Sequence, residues 1–406
     1  MIRHAPSIGI GIGLSLRSQG AAGAAFSGLL DQYGGAAAAY SLRALSSGWV
    51  AGDVVEVRPS SGWTPASFTA GQVANGEMVD YVKRPGNFTN VAINPFEEFT
   101  NNGEGDGFTA KDTTSAGFAS AYVVSGAASD VVTVSFDLAI VSGSPSVSLR
   151  NAPNQTRSNI EVISTNGSHS VVLTATGSFN NFSIADGDIP SEFTVSNVRF
   201  STADGFVSTW YDQSGNANNA TQATTTSQPK IVSAGTLVAG GLDFDGVDDR
   251  LITGSFSLTQ AFTSFSVTST DVSSRSAGIW GVADSESSPF EATSFYRSDD
   301  GFAINSGETL TTASTQTYDT GRDYLKTSFF DSASSSIRVD GVTKVTATAG
   351  TSNPSGLLML GQFMSSSGTT AVRLNGKIQE IIIYDSDQTA NSVAIEANIN
   401  DFYTIY

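Results

Sequence analysis

The chain has 406 residues, of which 39% are hydrophobic and only 14% charged, with 41 glycines, no cysteine and a formal charge of −18 from 20 Lys+Arg against 38 Asp+Glu. Such a balance leaves no cluster of cations for phosphates and excludes direct nucleic-acid binding. The lack of cysteine excludes disulfide staples, thiolate zinc sites and cysteine nucleophiles, and no apolar run reaches the length of a membrane-spanning helix, so no membrane insertion is expected.

In chain order, residues 1–16 hold Ile8-Gly9-Ile10-Gly11-Ile12-Gly13-Leu14. The alternation has period two and predicts an extended strand, able to add to a neighbouring sheet as an anchor. Residues 17–86 form a first segment. The alanines of Ala36–Ala39 are good helix formers and predict a short helix over Ala36–Leu45. Val54–Arg58 alternates like a strand, and Pro59–Pro65 reads as loop.

Residues 87–201 read as strands throughout. Asp130–Leu138 puts Val132, Val134, Phe136 and Leu138 on one face. Ser146–Leu149, Asn159–Ile163, His169–Ala175, Asn181–Ala185 and Phe193–Phe200 continue the series, with turn residues such as Asn166-Gly167 and Asp186-Gly187-Asp188 between them. Strands at this spacing make a sandwich.

Residues 202–406 carry further strands at Gly241–Phe244, Ser264–Ser269, Gly278–Val282, Tyr324–Phe330 and Leu357–Leu360. Ser336–Val339 and Thr343–Ala347 flank Asp340-Gly341, the strongest short hairpin signal. Ile381-Ile382-Ile383 marks Lys377–Tyr384 as buried on both faces. The chain closes on a helix with Ser386 as N-cap and Ile395, Ile399 and Phe402 on one stripe.

Several segments are familiar. Leu242-Asp243-Phe244-Asp245-Gly246, Phe262–Val267, Ile337-Arg338-Val339-Asp340-Gly341 and Leu374–Tyr384, in that order, resemble concanavalin-A-like, laminin-G-like domains. Gly35–Arg58 with Trp210-Tyr211-Asp212-Gln213-Ser214-Gly215 resembles the N-terminal part of the α-L-arabinofuranosidase B catalytic domain. The Tyr40-Ser41-Leu42-Arg43 segment, the Trp210–Gly215 motif and Ile395-Glu396-Ala397-Asn398-Ile399-Asn400 together are similar to structural proteins of tailed bacteriophages. Residues 87–201 loosely resemble carbohydrate-binding-module jelly rolls. These resemblances imply an all-β chain: a concanavalin-A-like jelly-roll sandwich from residues 17–86 and 202–406, an inserted second sandwich, and a short C-terminal helix.

Candidate sites are few. A glycosidase needs two carboxyl groups flanking the scissile bond, and no matching pair can be placed; Asp212 sits in a turn motif where Asp commonly bonds its own backbone. Asp243, Asp245, Asp248 and Asp249 are dense enough to converge on calcium; the plainer reading, and the preferred one, is an Asp245-Gly246 turn with solvated acids beside it. Asp299-Asp300-Gly301 and Asp186-Gly187-Asp188 share that ambiguity. The two histidines, His4 and His169, have no partner at metal-ligand spacing. Sugar rings stack on aromatic faces; Trp210 and Trp280 read as core, leaving Trp49 and Trp63 as candidate glycan platforms.

The resemblance to phage proteins implies a non-catalytic virion component: a tail-fibre, tail-tip or capsid-decorating subunit outside the cell. Its partners would be other virion proteins, further copies of itself in a homo-oligomer such as a trimer, and host surface glycans. The alternatives are a secreted arabinofuranosidase-like glycoside hydrolase or its carbohydrate-binding accessory, and a bacterial surface adhesin.

Overall fold

The computed structural model describes residues 27–90, 95–114, 117–126, 129–150, 158–185, 190–312 and 316–406. The expected anchor strand of residues 1–16, His4, and the Asp186-Gly187-Asp188 turn lie outside them. The fold is the expected all-β one: a concanavalin-A-like sandwich with a second sandwich inserted in it and a C-terminal helix.

Strands between Thr89 and Phe200 form two five-stranded antiparallel sheets of their own. In one, Val131–Ser142 lies between Gly167–Thr174 and Ser191–Phe200. In the other, Phe179–Ala185 lies between Phe118–Gly126 and Ser146–Arg150. The period-two pattern works as predicted: Val132, Val134, Phe136 and Leu138 are buried while Val131 and Ser135 face out. Those inward side chains share a core with Phe108, Leu149, Phe182 and Phe193 of the neighbouring strands. The insert leaves and rejoins the body at one place, where the Phe200 amide donates to the Lys83 carbonyl at 2.9 Å.

In the body, Phe262–Thr270 is the middle strand of one sheet, between Tyr324–Phe330 and Asn375–Tyr384. The facing sheet runs through Ala292–Tyr296, Ala277–Ala283, Ser355–Leu360 and Leu251–Ser257. The two meet through Trp280 against Phe330, with ring centroids 5.6 Å apart, and through the Tyr296 hydroxyl, 2.9 Å from Thr268 Oγ1. Asp340 and Gly341 both take positive φ, 51° and 75°. That is the hairpin conformation their identities predict.

Two local expectations are corrected. Ala36–Ser41 is a strand, not part of a helix, and pairs antiparallel with Asn375–Tyr384. Its alanines face two cores: Ala38 joins Tyr40 in the main one, and Ala36 and Ala39 pack with Phe265 and Ile382 in the other. Tertiary pairing overrides the weak helical preference of alanine. The C-terminal helix is Ser392–Tyr403, so it begins after Ser386, whose carbonyl instead accepts the Thr263 hydroxyl at 3.1 Å. Ile395 and Ile399 are buried against Phe265, Val267 and Leu325, whereas Phe402 is 43% exposed.

Candidate functional site

Each segment that carried a resemblance has a definite place. Asp212 is fully buried and accepts the backbone amides of Ala39 at 2.8 Å, Ser214 at 2.9 Å and Asn218 at 3.0 Å. Gln213 accepts the Leu45 amide and donates to the carbonyls of Ser41 and Arg43. The Trp-Tyr-Asp-Gln-Ser-Gly motif therefore holds residues 39–45 in place. Arg43 makes a two-pronged bond to Glu380, at 2.8 and 2.9 Å, and donates to Asn398 of the helix at 3.0 Å. Glu396 receives Arg338 and the Thr327 hydroxyl. Burial saturates these acids with donors, so the motifs fasten chain segments together.

The acidic loop is likewise occupied by its own turn. Asp245, Asp248 and Asp249 offer ligand oxygens within 4.8 Å of one another, an arrangement able to hold a cation. Asp245 Oδ1 accepts the amides of Val247, Asp248 and Asp249, Asp249 Oδ2 accepts the Asp245 amide, and Asp248 accepts the Ser227 hydroxyl. Burial, with the neighbouring acids, pushes Asp249 up to about 7. Asp243 stands apart from this trio, in register between Lys230 and Lys377. Asp300 caps the Ser274 amide at 2.7 Å and Asp299 accepts the Gly301 amide, so that pair also closes a turn.

Trp49 and Trp63 are half-buried. The Trp49 ring lies over Gly52, and its Nε1 donates to the Asp53 carbonyl at 3.0 Å. Trp63 is wedged between body and insert: a Cβ on Gly105 would come within 2.6 Å of its ring, and one on Gly86 within 3.3 Å. Neither ring is an open platform.

Beside Trp63 lies an open hollow of about 430 Å³, which the sequence reading missed. Two short helices, Ala70–Ala74 and Glu77–Val82, build it. Thr69 and Gln72 form a capping box at the first, and Gly76, at φ 88°, makes the left-handed link to the second. Val73, Met78 and Val82 face the core. That leaves Gln72, Asn75, Glu77, Asp80, Tyr81 and Arg84 around the hollow, with Phe68 in its wall. Tyr81 is fixed edge-on to Phe68 at 5.4 Å, by its hydroxyl to the Thr64 carbonyl at 2.7 Å, and under the Arg84 guanidinium. Asn75 holds Glu77 at 2.6 Å. Burial acts to raise Asp80, and the paired bonds from Arg199, at 2.8 and 2.9 Å, outweigh it and hold its carboxyl below the usual value. Arg199 also reaches Asp106 of the insert. The Thr-x-x-Gln pattern at Thr69–Gln72 is the sequence signal that announces this helical corner.

No family model and no curated protein matches the chain. Among solved structures, it is similar to Trypanosoma rangeli sialidase in complex with sialic acid, at 13% identity and a TM-score of 0.35, covering 48% of this chain and 32% of that one. The same sialidase with 2,3-difluoro-KDN matches at 10% identity and TM-score 0.35, over 66% of this chain and 53% of that one. The Ruminococcus gnavus IT-sialidase CBM40 bound to α2,3-sialyllactose matches at 12% identity and TM-score 0.28, over 35% of this chain and 83% of that one. The chain thus spans about a third of the length of the first sialidase. The expectation that the chain is not an enzyme is corrected here. The structures matched include sialidases, which are enzymes, so the exclusion of catalysis is withdrawn; likeness at this level assigns no activity or ligand.

Proposed function

We propose that the chain is a glycan-binding protein whose binding surface is the hollow at the joint of its two sandwiches. The observation that carries this reading is the composition of the hollow: a fixed tyrosine ring surrounded by two amides, two carboxylates and a guanidinium. Sugars are recognised by aromatic faces that stack on the ring and by planar polar groups that address the hydroxyls. Its volume of about 430 Å³ lies in the usual range of ligand sites, roughly 300–1,000 Å³. The hollow is open, which suits the end or side of a chain.

This function fits a carbohydrate-binding accessory of a glycoside hydrolase. It also fits a virion adhesin in which repeated copies multiply weak contacts with host glycans; the virion placement draws on the sequence resemblance alone. Glu77 and Asp80 both stand on the hollow, so hydrolysis is the second reading: Asp80 is held ionised by Arg199, and Glu77 would be the proton donor.

The test is a glycan array on the purified chain, with and without chelator, alongside hydrolysis assays on arabinosides and sialosides. Binding that is lost in Tyr81→Ala and Gln72→Ala supports the proposal. Binding unaffected by both variants moves the site elsewhere and overturns it. Turnover abolished by Glu77→Gln establishes the hydrolase reading, and loss of binding with chelator that Asp245→Asn reproduces assigns a cation to the Asp245 loop.

A further inference from the structure

The centre of the body sandwich is polar. Strand register places Ser264 beside Ser328 and Ser266 beside Lys326, all on the face of one sheet that looks at the other. The neighbours along those strands fix the direction: Phe330, two residues beyond Ser328, touches Trp280, and Thr268, two beyond Ser266, touches Tyr296. On the opposite sheet Ser294 is paired with Trp280 and lies two residues from Tyr296, so it faces the same block.

Sheets pack about 10 Å apart, and serines reaching in from both sides span little of that gap. Around them Phe262, Phe330, Trp280, Tyr296 and Tyr324 close an apolar wall.

Inside that wall the polar atoms are incompletely paired. Lys326 is completely buried and donates to the carbonyls of Ala303 at 2.6 Å and Phe295 at 3.4 Å; among the described residues no carboxylate pairs with it, and with none there burial pushes its ammonium well below the usual lysine value. The hydroxyls of Ser264, Ser294 and Ser328 and the Trp280 Nε1 are buried and have no hydrogen-bond partner in the protein. A buried charge is tolerated when it is paired, and a buried polar group when it is bonded.

We propose that the sandwich encloses a site for a small monovalent anion of the halide class, held between Lys326 and the unpartnered hydroxyls of Ser264, Ser294 and Ser328. One anion there answers both deficits at once. It supplies the opposite charge, and it accepts from the hydroxyls, the remaining ammonium proton and the indole N–H. The lysine and the serines around it are buried, and the ion's role is to let a lysine occupy the core.

The test is to unfold the protein and refold it in bromide, then crystallise it and measure anomalous scattering at the bromine edge. The expected result is a bromide peak between Lys326 and Ser294. In solution, the melting temperature should be higher in chloride or bromide than in gluconate at equal ionic strength, and Lys326→Met should remove that dependence. Water-like density with no anomalous peak overturns the proposal, as does a melting temperature indifferent to halide; either result makes this a hydrated site around a neutral amine. Should Lys326→Met fail to fold, the bromide peak in the unaltered protein still decides the matter.

Discussion

In the insert, Val131–Ser142 buries every second residue and turns the others to solvent. In the body, Phe262–Thr270, Ala277–Ala283, Ala292–Tyr296 and Tyr324–Phe330 are buried at every position. The difference comes from what covers the second face. The insert's sheet around Val131–Ser142 has water there, whereas in the body the C-terminal helix covers the Phe262–Thr270 sheet through Ile395 and Ile399, and the Gln362–Met364 and Ala371–Arg373 pair covers the facing sheet through Phe363. A one-faced sheet needs apolar residues on one side only. A two-faced sheet can satisfy the polar residues it carries only from within the protein or from something it encloses. Arg43 with Glu380 and Arg338 with Glu396 take the first course, and Lys326 with its serines is the place that calls for the second.

The largest expected break in this contrast is Glu380→Ala. It removes the acceptor of Arg43, Ser41 and Tyr403 together. Breaking a buried pair from one side costs about 3–5 kcal/mol, read as a lower denaturation midpoint for the body, with the insert's own transition unmoved. Trp63→Ala comes next. It takes out the half-buried wedge between body and insert and should cost about 1–2 kcal/mol. The measurement is calorimetry, where the insert's melting should separate from that of the body. Within the insert, Ile184→Val trims one methylene from the core at 1% exposure and should cost about 0.5–1.5 kcal/mol by chemical denaturation.

The acidic loop supplies a smaller effect, in pH. The folded-state value of Asp249, about 7, lies above its unfolded value of roughly 4. The folded protein therefore binds the proton more tightly. The stability this contributes is full below pH ~4 and is lost as pH rises toward and through about 7. Thermal melts across that window should fall with pH in the unaltered chain, and with a shallower slope in Asp249→Asn. Smallest of all is Val172→Thr, at 63% exposure on the outer face of the insert. It should change stability by no more than about 0.5 kcal/mol, whereas the neighbouring inward Val171→Thr should be clearly costlier.

The same contrast decides what the sequence could reveal. Val132, Val134, Phe136 and Leu138 were legible because water on one side forces alternation. Asp340-Gly341 was legible because few residue pairs tolerate two positive φ angles. Ala36–Ala39 misled because small residues pack equally well between two cores as a strand or along a helix, and only the partner strand at Ile381–Tyr384 decides. The Asp245 loop and both half-buried tryptophans stood out as residue types, but their roles depend on Ser227, Gly52 and Gly105, which composition does not connect to them. The hollow went unread because the capping pattern at Thr69–Gln72 announces only its first helix, and nothing in sequence joins that helix to the aromatic at Phe68, the second helix and the arginine beyond it. The Tyr40–Arg43, Trp210–Gly215 and Ile395–Asn400 segments form one network, Arg43 to Glu380 and Asn398, with Gln213 bracing Leu45, and contacts between segments so far apart in sequence are not visible in any one of them.

The bond from Phe200 to Lys83 has a consequence for how such chains diversify. A sandwich whose two ends emerge side by side can be exchanged for another without stretching the host. The body's strands on either side, Asp53–Pro59 and Gly205–Trp210, pair with each other whatever sits between them in sequence. Recombination at that doorway would therefore give proteins with a common chassis and different heads. Since Trp63 and Arg199 line the threshold, they are where an incoming head would have to be refitted.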